Sequence, residues 1–192
     1  ELLHSENSEK FLIGKDLKIP YKLIWSGNTV KYDPKHIKES KPIELFKQNK
    51  ILFRDIGLKF NAVYDPEGML CLKTIYFLIL KKDFNKMFKY KYLLALLNSN
   101  LINNYFSKKF SIAHVSGGYL RFRKQFVDKI PIPQIDLKKQ SMFIDKVDQI
   151  LQQKQQDPTA DTSALEAEID RMVYDLYGLT EEERKIVEEG VG

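Results

Sequence analysis

The chain has 192 residues, 43 % of them hydrophobic, which is enough for a sizeable core and too many for wholesale disorder. One cysteine excludes an internal disulfide, and three scattered histidines beside it make no zinc set. The net charge of +5 is divided unevenly: residues 1–139 hold 26 Lys and Arg against 13 Asp and Glu, and residues 140–192 hold 5 against 13.

Residues 1–10 are polar, and Glu1 in place of Met points to a fragment of a longer protein. The pattern sharpens at Phe11. Tyr21–Trp25 and Thr29–Asp33, joined by Ser26-Gly27-Asn28, predict a β-hairpin carrying Lys22, Trp25, Lys31 and Tyr32. Trp25 reads equally well as a core ring beside a turn. Asp33-Pro34 opens a loop leading to a short helix at Ile43–Phe46.

Lys50 to Leu80 reads as consecutive strands: Ile51–Arg54, Phe60–Tyr64, Met69–Leu72 and Thr74–Leu80. Asp65-Pro66-Glu67-Gly68 has the residues of a type I turn. Arg54 and Lys59 bracket Gly57 and are expected on one sheet edge. Cys71 lies in an apolar run and reads as a buried structural thiol. The longest apolar run, Thr74 to Leu80, is too short to cross a bilayer, and no signal peptide occurs. A reducing cytoplasm is the expected compartment, with no membrane partner.

Tyr90 to Phe106 changes period: Leu93, Leu94, Leu97, Leu101 and Tyr105 form one stripe of an amphipathic helix expected to lie on the sheet. Asn98, Ser99, Asn103 and Asn104 fall elsewhere, as a solvated face or a base-reading one. In the stretch Ser111 to Gln134, Leu120 and Phe122 alternate with Tyr119, Arg121 and Arg123, which predicts a strand with its ring and guanidinium groups on one face. Gly117 and Gly118 precede it, next to His114 and Ser116, and Pro131 and Pro133 end it. The face suits phosphates and base edges, while a half-buried strand with solvated arginines is the plainer alternative.

Asp136 predicts the N-cap of a helix running to about Gln155, with Phe143, Val147, Ile150 and Leu151 on one side. Gln152 to Thr162 reads as a linker. Ser163 to Glu166 reads as a capping box opening a helix that Gly178 closes, and Thr180 to Glu183 as a second box opening a last short helix. The basic part fits a polyanion and the acidic tail fits a protein contact. The reading is α+β: a mixed, mostly antiparallel sheet packed with helices over 1–135, and a C-terminal helical region over 136–192.

Catalytic signatures are absent from the sequence. Neither GxGxxG nor GxxxxGK[ST] occurs, no Asn-Pro dipeptide exists for adenine methylation, and no Gly-x-Ser-x-Gly elbow appears. The Asp-x-Lys triplets at Asp16 and Asp136 are too common to mark a nuclease.

Several segments in order resemble one module: Gly14-Lys15-Asp16-Leu17-Lys18, Lys50 to Arg54 with Ile56-Gly57, Tyr64-Asp65, Leu93 to Ser99, Gly117 to Phe122, and Ile130-Pro131-Ile132-Pro133. That module is the target-recognition (specificity) domain of the TaqI-like adenine methyltransferases and related type IIG restriction-modification enzymes. The likeness runs from about Phe11 to Pro133, and the tail from Glu168 to Glu183 is similar to the end of such enzymes. The resemblance implies that an N6-adenine methyltransferase domain, with or without a nuclease, precedes this fragment. It also implies that S-adenosylmethionine, with magnesium as a further candidate, serves that missing part and no cofactor serves this one.

The expected function is therefore recognition of a specific double-stranded DNA sequence, without cleavage or methylation by this fragment. Its partners would be the duplex and the enzyme's own methyltransferase domain. Lys15, Lys18, Lys22, Lys31, Lys59 and Lys124 are the candidates for phosphate, where point charges suffice. Arg54, Arg121 and Arg123 are the candidates for forks onto guanine edges. His114, Ser116 and Tyr119 could serve either role, and a solvated salt bridge is the alternative for each residue. Two other readings of the whole remain: a protein-interaction module using the aromatic surface, and a nuclease with an unrecognised site.

Overall fold

Apolar alternation before residue 80 comes only in short bursts, and the strands are correspondingly short. The computed structural model describes residues 8–33, 35 and 41–190. It begins with β1 (Glu9–Leu12), β2 (Thr29–Val30), the single-turn α1 (Ile43–Phe46), β3 (Lys50–Arg54), β4 (Ile56–Gly57), β5 (Val63–Asp65), β6 (Leu70–Cys71) and β7 (Ile75–Leu78). There follow α2 (Tyr90–Asn98), α3 (Asn100–Lys109), β8 (Leu120–Arg121), α4 (Lys124–Val127), α5 (Leu137–Gln156), α6 (Ser163–Tyr177) and α7 (Glu181–Glu189). The fold is α+β, with small sheets ordered β2-β1-β6, β5-β3-β7 and β4-β8. All these strand pairs are antiparallel except β1 with β6. No helix among the described residues is long and apolar enough to cross a membrane. The expectations for residues 1–7 and for the loop opening at Pro34 lie outside the described residues.

β3 is buried on both faces because two cores meet on it. Ile51 and Phe53 point into the larger core with Phe60, Phe106, Phe122, the α2 leucines, Phe143 and Val147 of α5, and Ile169 and Val173 of α6. Leu52 points into a smaller one with Leu12, Leu17, Val63, Met69 and Ile75. Each such side chain contributes roughly 1.5–3 kcal/mol of burial, so β3 is the strand the rest cannot move against. At its start Lys50 and Asp65 form a fully buried ion pair at 2.6 Å. The same carboxylate accepts hydrogen bonds from the N–H groups of Glu67, Gly68 and Met69, which closes the turn at Asp65–Gly68. Half-buried Cys71 has its thiol pushed up to about 11 by burial, which keeps it protonated and unreactive.

Three local expectations are corrected. Thr29–Val30 pairs with Glu9–Lys10 of β1 and not with Tyr21–Trp25, so there is no hairpin there. Instead Tyr21 takes a left-handed φ of 64° in a tight turn, its N–H bonded to Ala62 O at 3.1 Å, and Trp25 packs against the smaller core. The helix over 90–106 is two helices. Ser99 is extended (φ −65°, ψ 151°), ends α2, and caps α3 by accepting from Ile102 N. The predicted box at Ser163 does not form: Thr162 is the N-cap of α6 with no side-chain cap bond, and its hydroxyl donates to the Glu166 carboxylate instead.

The other helix signals hold. Asp136 accepts from Lys139 N at the start of α5, Gly178 ends α6 at φ 69°, and Thr180 with Glu183 forms a capping box for α7.

Candidate nucleic-acid interface

The strand predicted over Tyr119–Arg123 is shorter than its alternation suggests, yet its faces fall as expected. Leu120 and Phe122 are buried in the core, Tyr119 and Arg123 are exposed, and Arg121 is partly so. Its partner is β4, with Gly57 opposite Leu120 and Ile56 opposite Arg121. Phe122 N donates to Asp55 O at 2.8 Å and anchors the ribbon to the end of β3. A β-carbon on Gly57 would sit 2.9 Å from Lys59 O and 3.5 Å from both Arg54 Nη2 and Phe122 Cε2. The missing side chain therefore lets the Lys59 carbonyl approach closely, with the Arg54 guanidinium in ordinary contact beside it. The Arg54 Cδ lies 3.8 Å from where a Gly14 β-carbon would be, so the 3-10 turn at Gly14–Leu17 flanks the same side chain.

Ahead of β8 the chain reverses at Ser116–Gly118, with Gly117 and Gly118 at φ 76° and 77°, a conformation that a residue with a β-carbon rarely adopts. Val115 N bonds Tyr119 O at 2.8 Å to close the loop, and His114 bridges back to Leu120. The His114 Nε2 lies 2.8 Å from Ser107 O. A carbonyl only accepts, so that nitrogen carries the proton.

The candidate residues fall into groups. Arg54, Lys59, His114, Ser116, Tyr119 and Arg121 lie on the ribbon or in the loops that hold it, and Lys15 sits in the turn beside Arg54. Arg123 is the N-cap of α4 and lines a shallow, open concavity with Tyr76, Lys124, Gln125 and Asp128. Lys124 is paired with Asp128 one turn on, an exposed pair worth little and easily given up. Lys18 and Lys22 belong to the segment tied to residues 61–62, through Asn61 to Lys18 O and Tyr21 N to Ala62 O. Lys31 follows β2, in a different sheet from β4 and β8. Among the described residues neither Arg54, Arg121 nor Arg123 is ion-paired, and the buried Nε of Arg54 and of Arg121 has no hydrogen-bond partner.

The asparagines are a correction. Asn103, only 7 % exposed, accepts Phe60 N at 2.7 Å and donates to Ser99 O at 2.8 Å. Asn98 accepts Ala62 N at 2.9 Å and donates to Ala62 O at 3.0 Å. They are neither solvated nor free for bases. They bind the strand-like segment 60–62, which would otherwise lack a ladder partner, to the helices. Polar side chains in two half-apolar helices carry no local sign of this role, because the backbone groups they bind at residues 60–62 are some forty residues away.

Among the described residues no group of three His, Cys, Asp or Glu is placed to hold a metal ion. The model of the TaqI-like C-terminal specificity domain matches residues 9–132. The chain belongs to this family. Comparison with curated proteins gave no match. The TaqI-like specificity domain is the DNA-recognition part of restriction-modification enzymes and is not their catalytic part. The matched range takes in β1 through α4 and ends before α5, so the ribbon and its glycine loop lie within it.

Proposed function

We propose that this TaqI-like domain reads a specific sequence of double-stranded DNA for an N6-adenine methyltransferase. The two together would form a type IIG-like restriction-modification enzyme. Methyl transfer from S-adenosylmethionine, extrusion of the target adenine, and any magnesium-dependent cleavage would belong to parts outside this chain. The reading is carried by the β4–β8 ribbon, where Arg121 stands on an outward face beside a tight diglycine loop, with no carboxylate among the described residues holding it. A two-stranded ribbon is narrow enough to enter the major groove, and guanidinium forks match the N7 and O6 of guanine there. Lys15, Lys18, Lys22, Lys31, Lys59 and Lys124 are assigned to phosphates, Arg54, Arg121 and Arg123 to base edges, and His114, Ser116 and Tyr119 to either.

Fluorescence anisotropy of the intact protein with labelled duplex, repeated across a salt series, tests this. Affinity is expected to fall linearly with salt on logarithmic axes, as counterion release requires. Salt-insensitive or absent binding would favour the protein-interaction reading. Transfer of a labelled methyl group from S-adenosylmethionine to adenine in the same duplex tests the parent activity.

A further inference from the structure

The outward face of the ribbon is not uniformly polar. Phe122 N bonds Asp55 O, so the next rung, Ile56 with Arg121, is of the non-hydrogen-bonded kind. In such rungs the Cα atoms are about 4.5 Å apart and the two side chains leave the sheet side by side. Ile56 is 36 % exposed despite being β-branched and fully apolar. Continuing the register by one step sets Leu58, 58 % exposed, beside Tyr119, 43 % exposed. Leu58 Cδ2 lies 3.9 Å from where a Gly118 β-carbon would be, consistent with that placement.

The ribbon face thus presents a guanidinium with an isoleucine at its shoulder. In the major groove the bases display one apolar group, the C5-methyl of thymine. Successive bases on a strand are about 3.4 Å apart, close to the separation of the paired residues. We infer that Ile56 is a specificity-determining residue that packs on a thymine methyl at the position next to the guanine taken by Arg121. The inference rests on the duplex-recognition reading above and deepens it: the target would contain a G·C pair adjoining a T·A pair at the ribbon.

The test is selection of a randomised duplex pool by the intact protein, followed by binding of single-site variants. The enriched site is expected to hold guanine next to thymine. Replacing that thymine by uracil removes only the methyl and is expected to weaken binding about fourfold, the effect of one unburied methyl-sized group. Ile56→Ala is expected to bind the thymine and uracil duplexes equally, while Ile56→Val keeps the preference. A solvent-facing side chain makes Ile56→Ala well tolerated, and an unchanged melting temperature checks this. An enriched site without a G–T neighbour overturns the inference and leaves duplex recognition standing. So does an Ile56→Ala protein that still distinguishes thymine from uracil by the same factor, which would point to Ile56 packing on protein. A pool with no enrichment removes both readings together.

Discussion

Asn103→Ala probes how the recognition ribbon is held. The Asn103 Oδ1 is the acceptor for the N–H of Phe60, a residue 2 % exposed in the larger core. Without it that N–H is buried and unpaired, which costs about 1–3 kcal/mol. Ser99 O keeps its bond from Asn103 N, so losing the side-chain donor adds little. The expected loss is therefore about 2 kcal/mol, or roughly 4–8 °C in melting temperature for a chain of this size. Because Phe60 follows Lys59 directly, duplex affinity is expected to fall as well. Asn103→Asp separates the two roles of the amide. A carboxylate still accepts from Phe60 N but faces Ser99 O with no donor, so this variant is expected to be destabilised at neutral pH and to recover as acid protonates it. Urea unfolding with an unchanged m-value measures both. An Asn103→Ala protein within 0.5 kcal/mol of the original would refute the idea that this amide holds the segment.

Arg121→Ala is expected to lose roughly 5- to 150-fold in affinity for the preferred duplex and to relax choice at one base pair, as removal of a bidentate fork would. Equal weakening on every sequence, read by competition anisotropy, would count against base contact. Lys50→Met is expected to destabilise by about 3–5 kcal/mol because it strands the Asp65 carboxylate in the interior, and a thermal scan showing less than 1 kcal/mol would contradict that. Burial pushes the Asp170 carboxyl up to about 6, helped by Glu166 and Glu188, against the Asn100 N–H and Lys59. The folded state then holds the proton more tightly than the unfolded one. Its stabilising contribution is complete below about pH 4 and is lost as pH rises through about 6, with a total of about 3 kcal/mol. Asp170→Asn should flatten stability between pH 4 and 6, and an unchanged slope in urea melts would remove Asp170 as the cause.

Local signals were legible where the physics is local. The caps at Asp136 and Thr180 and the stop at Gly178 involve groups within five residues of one another. The Asp65–Gly68 turn is likewise local, although the buried Lys50 that completes it was not foreseen. The alternation at Leu120 and Phe122 correctly separated the core face from the outer one because it reports burial directly. Thr29–Val30 read as the return arm of a hairpin since a Gly-Asn turn precedes it. Two residues of strand carry too little pattern to name a partner, and their partner is β1, some twenty residues earlier in the chain.

The sequence by itself determined the class of fold, the caps at Asp136 and Thr180 and the stop at Gly178, the separation of a basic body from an acidic tail, and the likeness to the TaqI-like specificity domain. Those follow from periodicity, capping chemistry, charge and motif order, none of which depends on distant contacts. Only the tertiary structure decided which short strands meet, where the helix breaks at Ser99, what the asparagines bind, and that Ile56 stands beside Arg121. Each of these is a pairing across a long stretch of chain, chosen by which faces remain to be buried and which backbone groups remain to be satisfied, and no local window contains both partners.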